Sequence, residues 1–257
     1  MESAKTGLNR SWLKYLALIF MVLDNAYFRF NLNSVIHLIT RFVAPLYAWL
    51  MVEGFFYTKS RKHYCLRLWT AALLMQFGNF LSLLLFSQRG ISDNIFLTLA
   101  ISFSILWLFE LAKENPAKKI QFRILGWFLF LVGAELSLMG LPLGDGLYLN
   151  LEGGLQLLPL VLIAYFFRHS KIKQAILIIL YSLLQFYLLY GGPAMAIFQG
   201  FDMFCVNSDW MTWQVIPFIF LYNGEKGKSR PFDKWFFYAF YPLHLWILLL
   251  LSQVLHM

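Results

Sequence analysis

Charge is scarce in this chain. Across 257 residues Asp, Glu, Lys and Arg make up 13%, about half the share found in an average soluble domain. Cysteine is nearly absent, and the two present, Cys65 and Cys205, fall on opposite membrane sides in the topology derived below, which excludes a disulfide between them. The five histidines show no HxxH or HExxH spacing and no Cys/His cluster, so no metal site is expected. "LPLGDG" (141 to 146) lacks the GK[ST] ending of a phosphate loop and reads as an outer turn punctuated by Gly and Pro. Alternating ten-residue segments are missing as well, which excludes an outer-membrane barrel. There is no internal repeat, and that weakens an inverted-repeat transporter.

What the chain does have is apolar length. Hydrophobic residues make up 60% of it and its mean hydropathy is +0.64. The apolar runs recur at a spacing suited to membrane-crossing helices of about 20 residues. The fold class is therefore all-α, a polytopic transmembrane helical bundle and one integral membrane domain over 1–257. Nine spans are expected, near 12–31, 35–58, 66–87, 94–112, 124–141, 151–167, 173–191, 205–222 and 235–255. The basic start of the chain leads into an apolar run that continues through Asp24 to Phe30 without a small-x-small cleavage site, so it reads as a retained first span, with no soluble domain before or after the membrane part.

Basic residues gather in alternate connections: Lys5, Arg10 and Lys14; Lys59, Arg61, Lys62 and Arg67; Lys113, Lys118, Lys119 and Arg123; Arg168, Lys171 and Lys173; Lys226, Lys228, Arg230 and Lys234. These are 18 of the 21 Lys and Arg. Arg29 and Arg89 lie in the other connections, and Arg41 lies inside a span. Because Lys and Arg accumulate in cytoplasmic loops, the N-terminus is expected inside and the C-terminus outside. The net charge of +8 is then a topology signal with a secondary attraction to anionic lipid, and it calls for no nucleic-acid partner.

Polar groups at membrane depth are costly and tend to face a cavity or a partner. The candidates are Asp24, His37, Arg41, Glu53, Glu110, Glu135 and His244. At about 1.5 Å of rise per residue, Asp24 lies roughly 15 Å past Lys14, and His244 about as far past Lys234. Arg41 lies about 9 Å into its span from the outer end, and Glu53 about 9 Å above Lys59. The first, second and ninth spans can therefore bring an acid, a guanidinium and an imidazole to one middle layer. An Asp24–Arg41 ion pair that only holds two helices together is the structural reading. A site that polarises or deprotonates a substrate is the functional one. His37, one helical turn before Arg41, shares its face. Glu110 sits near an inner helix end where water can reach it, and Asp202 and Asp209 carry little information in an outer connection. The loop "TKSRKHYCLR" (58 to 67) concentrates cations suited to the phosphates of a cytosolic donor, although retention of positive charge inside explains them equally well. Gly153, Gly154, Gly191 and Gly192 suit close helix approach or span ends.

The blocks "WLKYLALIFMVLDNAY", "TRFVAPLYAWLMVEGFFYTKSRKHYCLRL", "NIFLTLAI" and "FYAFYPLHLWILLLL" resemble, in this order, the TraX family of membrane proteins, with Arg41, Pro45, Glu53, Gly54, Tyr64 and Arg67 in register; the stretch 113–233 follows by hydrophobic pattern. The resemblance implies a multispan acetyltransferase of the bacterial plasma membrane. Its donor would be cytosolic acetyl-CoA, and its acceptor an exported or pilin-like peptide amine, or another amine or hydroxyl. In the wider group of membrane acyltransferases a basic residue precedes a catalytic histidine by eleven positions. Lys14 and position 25 keep that spacing, which is about 20° from three full turns and spans roughly 16 Å. Position 25 departs from the pattern: such proteins read Asp-His where this chain reads Asp24-Asn25, and an amide takes up no proton as imidazole does. The resemblance thus implies catalytic roles for Asp24, Asn25, Arg41, Glu53 and His244. Donor binding falls to Lys14, Lys59, Arg61, Lys62 and Arg67. A catalytically inactive protein that binds or assembles an exported peptide or surface polymer, and a small-solute transporter, are the alternatives.

Overall fold

A computed structural model describes residues 7–86, 90–144, 147–189, 191, 200–227 and 231–255. Lys5, Arg89, Gly192, Lys228, Arg230, the 145–146 end of LPLGDG and the side chain of Lys234 lie outside the described residues. The chain forms two compact units, one of Met1–Tyr47 with Phe167–Met257 and one of Ala48–Phe166.

In the first unit, α1 (Arg10–Phe30) opens on Asn9, whose side chain accepts from the Trp12 backbone at 3.1 Å. It closes on Asn31, which adopts the left-handed conformation that Asn tolerates and sends its N–H to the Tyr27 carbonyl. One face of α1 carries Leu13, Ala17 and Met21 at i, i+4, i+8, all buried. The helix packs against α2 (Val35–Thr40) and against the last helix, Pro231–Val254.

The span expected over 35–58 is interrupted. α2 ends at Thr40, Arg41 and Phe42 form a turn, and α3 runs over Val43–Tyr57. Pro45 accounts for the break: it has no N–H to offer the Arg41 carbonyl four residues back, and its ring crowds that carbonyl. Arg41 therefore sits at a joint between two helices. The remaining elements of this unit are α8 (Lys171–Leu189), α9 (Gly200–Val206), a short 3₁₀ turn (Thr212–Val215), α10 (Ile216–Leu221) and α11 (Pro231–Val254). Leu8 lies beside Tyr222 as a parallel bridge, with Leu8 N–H to the Leu221 carbonyl at 2.8 Å and Asn223 N–H to the Leu8 carbonyl at 3.0 Å.

The second unit is arranged around α5 (Ile95–Glu114), which is apolar on every side and buried along most of its length. Around it pack α4 (Arg61–Phe86), α6 (Lys119–Leu138) and α7 (Gly154–Phe166). Gly126 lets α6 approach closely, since a Cβ there would lie 2.6 Å from the Phe109 ring. Within the outer turn expected over 141–146, Leu141–Gly144 is a strand, β1, that pairs antiparallel with β2 (Leu147–Leu149), a two-stranded sheet among described residues that are mostly helical.

Six helical stretches among the described residues are long and apolar enough to cross a membrane: Val35–Tyr57, Arg61–Phe86, Ile95–Glu114, Pro116–Leu138, Lys171–Leu188 and Trp235–Val254. The other three expected spans differ for stated reasons. α1 has the length, but carries Arg10, Lys14, Asp24 and Arg29 among its 21 residues. α7 covers 13 residues, about 20 Å against a hydrocarbon core of about 30 Å. The stretch 205–222 is split between the end of α9, the 3₁₀ turn and α10.

Candidate functional site

Four side chains of the first unit close a ring. The Arg41 guanidinium pairs through Nη2 with Asp24 Oδ1 and through Nη1 with Asp209 Oδ1. The His37 imidazole spans the same two oxygens, Nδ1 at 3.3 Å from Asp24 and Nε2 at 3.6 Å from Asp209. Arg41 Nε donates to the His37 carbonyl at 2.8 Å, so all three guanidinium nitrogens have partners. Thr40 has one hydroxyl hydrogen and two acceptors in reach, Asp24 Oδ1 at 2.5 Å and the His37 carbonyl at 2.9 Å. The joint at Arg41 makes this possible, because α2 carries His37 and Thr40 on the face turned to α1.

Burial is uneven around the ring. His37 is 2% exposed and Arg41 13%, whereas Asp24 is 22% and Asp209 39% exposed. Tyr27 stacks on the His37 ring and Phe28 meets it edge-on. A buried guanidinium is costly without a counter-charge, and this one has two. With His37 neutral the four side chains sum to one negative charge, and with it protonated to none. Ser34 donates to Asp202 of α9 beside this cluster, and Gln214 donates to the Leu38 carbonyl at 2.9 Å.

A second constellation lies one residue along α1. Asn25 Nδ2 reaches the Met21 carbonyl at 2.9 Å and His244 Nε2 at 3.1 Å. On α11, His244 Nδ1 lies 3.0 Å from the Phe240 carbonyl, which can only accept. The proton therefore sits on Nδ1, and Nε2 presents its lone pair to the Asn25 amide. His244 is buried, stacked on Phe240 and edge-on to Tyr241. His244 thus meets Asn25, while the partners of Asp24 are His37, Thr40 and Arg41. Lys14, three turns earlier on α1, lies with Nζ 5.1 Å from the Phe237 ring centroid, and its carbonyl accepts from Tyr47 at 3.1 Å.

The other sequence-derived residues belong to the second unit. Glu53 lies half-buried on α3. Lys59 and Lys62 are exposed. Arg61 is taken up by acids, 2.8 Å from Glu114 and 3.5 Å from Glu110, and lies over Phe55. Glu110 is no lone solvated acid, since Lys113 at 2.7 Å and the Tyr165 hydroxyl also bind it. Arg67 lies over Tyr64 with a buried Nε that has no hydrogen-bond partner among the described residues. As a fit to an anionic donor, Arg67 offers an unused donor atom, Lys59 and Lys62 offer open charge, and Arg61 is already neutralised.

Sequence reasoning passed over Asp202 and Asp209, and here the structure corrects it: both bind residues at the start or end of α2. The available signal was a count. Arg41 and His37 share one face of a span that holds only Glu53 as an acid, so a second carboxylate had to come from elsewhere.

A family model described as "TraX protein" matches residues 9–252, nearly the whole chain. No curated protein and no solved structure matches it.

Proposed function

This chain belongs to the TraX family, and from that premise we propose that it is a membrane acetyltransferase, moving an acetyl group from cytosolic acetyl-CoA to a peptide amine or another amine or hydroxyl. The observation that carries this reading is the His244 imidazole 3.1 Å from Asn25. Where the family pattern has histidine, this chain has an amide that holds a histidine from another helix. In the reaction the acceptor's lone pair attacks the thioester carbonyl carbon and the coenzyme A thiolate leaves. The acceptor's proton passes to His244 Nε2, the ring nitrogen left basic by the Phe240 contact, once the Asn25 amide has released its lone pair to the acceptor. Asp24 orients the acceptor, and Arg41 acts through Asp24, since each of its three nitrogens already has a partner. For anionic parts of the donor the first unit offers Lys14; within the second unit the open cations are Lys59, Lys62 and Arg67, and Glu53 lies half-buried on α3.

The same reading takes the protein to cross the plasma membrane nine times, N-terminus inside and C-terminus outside. Six long apolar helices support the membrane part, and the alternation of basic connections supports the orientation.

A second reading is a protein without catalysis that binds an exported peptide. It is favoured by the closed Asp24–Arg41–Asp209–His37 ring, whose charged groups are already satisfied by one another. Acetyl-CoA binding to the purified protein separates the two. Saturable binding, with acetyl transfer lost in His244→Gln, supports the enzyme; no binding at millimolar donor removes it.

A further inference from the structure

We propose that the open face of α6 is a binding site for an anionic phospholipid. Ile120, Arg123, Ile124, Trp127, Phe128 and Leu131 line a groove of about 530 Å³ on this helix. They recur at i, i+3 or i+4 and so form one stripe. The apolar members are well exposed, from 47% for Trp127 to 72% for Ile120. The stripe has a cationic head and an apolar tail. Arg123 stands at one end with exposed Lys119 one turn before it, and Leu131 lies about 12 Å further along.

Charge bookkeeping around the head favours an anion. The two carboxylates at the end of α5 are engaged elsewhere, Glu114 by Arg61 and Glu110 by Lys113, Arg61 and Tyr165. Lys118, Lys119 and Arg123 make no ion pair among the described residues. Glu135, the one acid of α6, lies about 18 Å along the axis from Arg123 and does not oppose a charge there. A lipid phosphate accepts from the Arg123 guanidinium in bidentate fashion, while its acyl chains cover the isoleucines, Trp127 and Phe128. Zwitterionic lipid covers the apolar part equally well and carries the same phosphate, but its ammonium cancels the net charge, so it gains less from the two cations.

The experiment is native mass spectrometry of the full chain in detergent, titrated with phosphatidylglycerol or phosphatidylcholine of the same acyl chains. Phosphatidylglycerol is expected to bind about 25-fold more tightly. The double variant Lys119→Gln/Arg123→Gln is expected to lose that preference, at about fivefold per cation, with phosphatidylcholine binding unchanged; Arg123→Lys keeps a charge and is expected to retain part of the preference. Equal binding of the two lipids by the wild-type chain overturns the proposal, and so does an unaltered preference in the double variant. Competition by glycerol phosphate at the concentration of the lipid also overturns it, since the tail would then be irrelevant. A two-chain mass that falls to one chain in Phe128→Ala gives the face to a second copy and overturns it too. None of these outcomes depends on acetyl transfer.

Discussion

Asn25 and His244 stand 219 positions apart in the chain and meet at 3.1 Å. The amide uses one N–H on its own helix, at the Met21 carbonyl, and the other on the imidazole, so the pair defines both the rotamer of Asn25 and the basic nitrogen of His244. His244→Gln keeps a hydrogen-bonding side chain at that position and removes the base. Transfer is expected to fall by about 10²- to 10⁴-fold with unchanged yield of folded protein; rates within a factor of three of wild type would falsify the assignment.

Asn25→His restores the residue type of the family pattern. It places an imidazole against His244 Nε2, the acceptor of the present contact. Acetyl transfer measured with His244→Gln in the Asn25→His background distinguishes the two possible bases. Recovery of turnover in the double variant is expected, because the imidazole at position 25 then takes the proton.

Arg41 is buried between two carboxylates, and removing it leaves both without their common cation. Arg41→Met is expected to destabilise the folded protein by about 3 kcal/mol or more. Asp209→Asn, at a side chain 39% exposed, should cost less than about 1 kcal/mol after solvent screening. Thermal unfolding of both variants in one detergent checks the order, and an equal loss in both would show that Arg41 draws nothing special from its burial.

Pro45 holds open the joint on which the ring depends. Pro45→Ala supplies an N–H for the Arg41 carbonyl and lets α2 and α3 join into one helix. Arg41 should then swing away from Asp24, so the stability cost of Asp24→Asn is expected to shrink in the Pro45→Ala background. An undiminished cost in that double-mutant cycle would mean that the joint has another origin.

Gly126→Val drives a side chain into the Phe109 ring, which already lies 2.6 Å from the position of a Cβ. A loss of about 1–3 kcal/mol is expected, with partial recovery when Phe109→Leu is added. Failure of the second substitution to restore any stability would place the strain elsewhere.

The helical class and the pairing of Asp24 with Arg41 were legible because both follow from cost: apolar length requires membrane, and a buried acid requires a cation. His37 was legible as a neighbour of Arg41 by helical spacing alone. Asp209 was not. It lies 168 residues from Arg41, in a connection where an acid is ordinary, and nothing local marks it as a partner. The interruption at Arg41 was written in Pro45, but hydropathy averages over such a break and reported one span. Similarly, α1 was visible as a first span from the apolar run that continues through Asp24 to Phe30, yet its four charges keep it apart from the six most apolar helices. That Asn25 would find His244 depended on α1 packing against α11, a contact that no spacing along the chain encodes.

The unit that carries the ring is assembled from residues before 48 and after 166, and the other unit is the uninterrupted stretch between. During synthesis, α1 and α2 emerge early, with Asp24 and Arg41 already able to pair, but Asp209 and His244 arrive only after the intervening 119-residue stretch Ala48–Phe166 has been made. Ribosome-stalled chains ending before α9 should therefore hold a folded middle and an unfinished pair of ends, waiting for the last helix to close them.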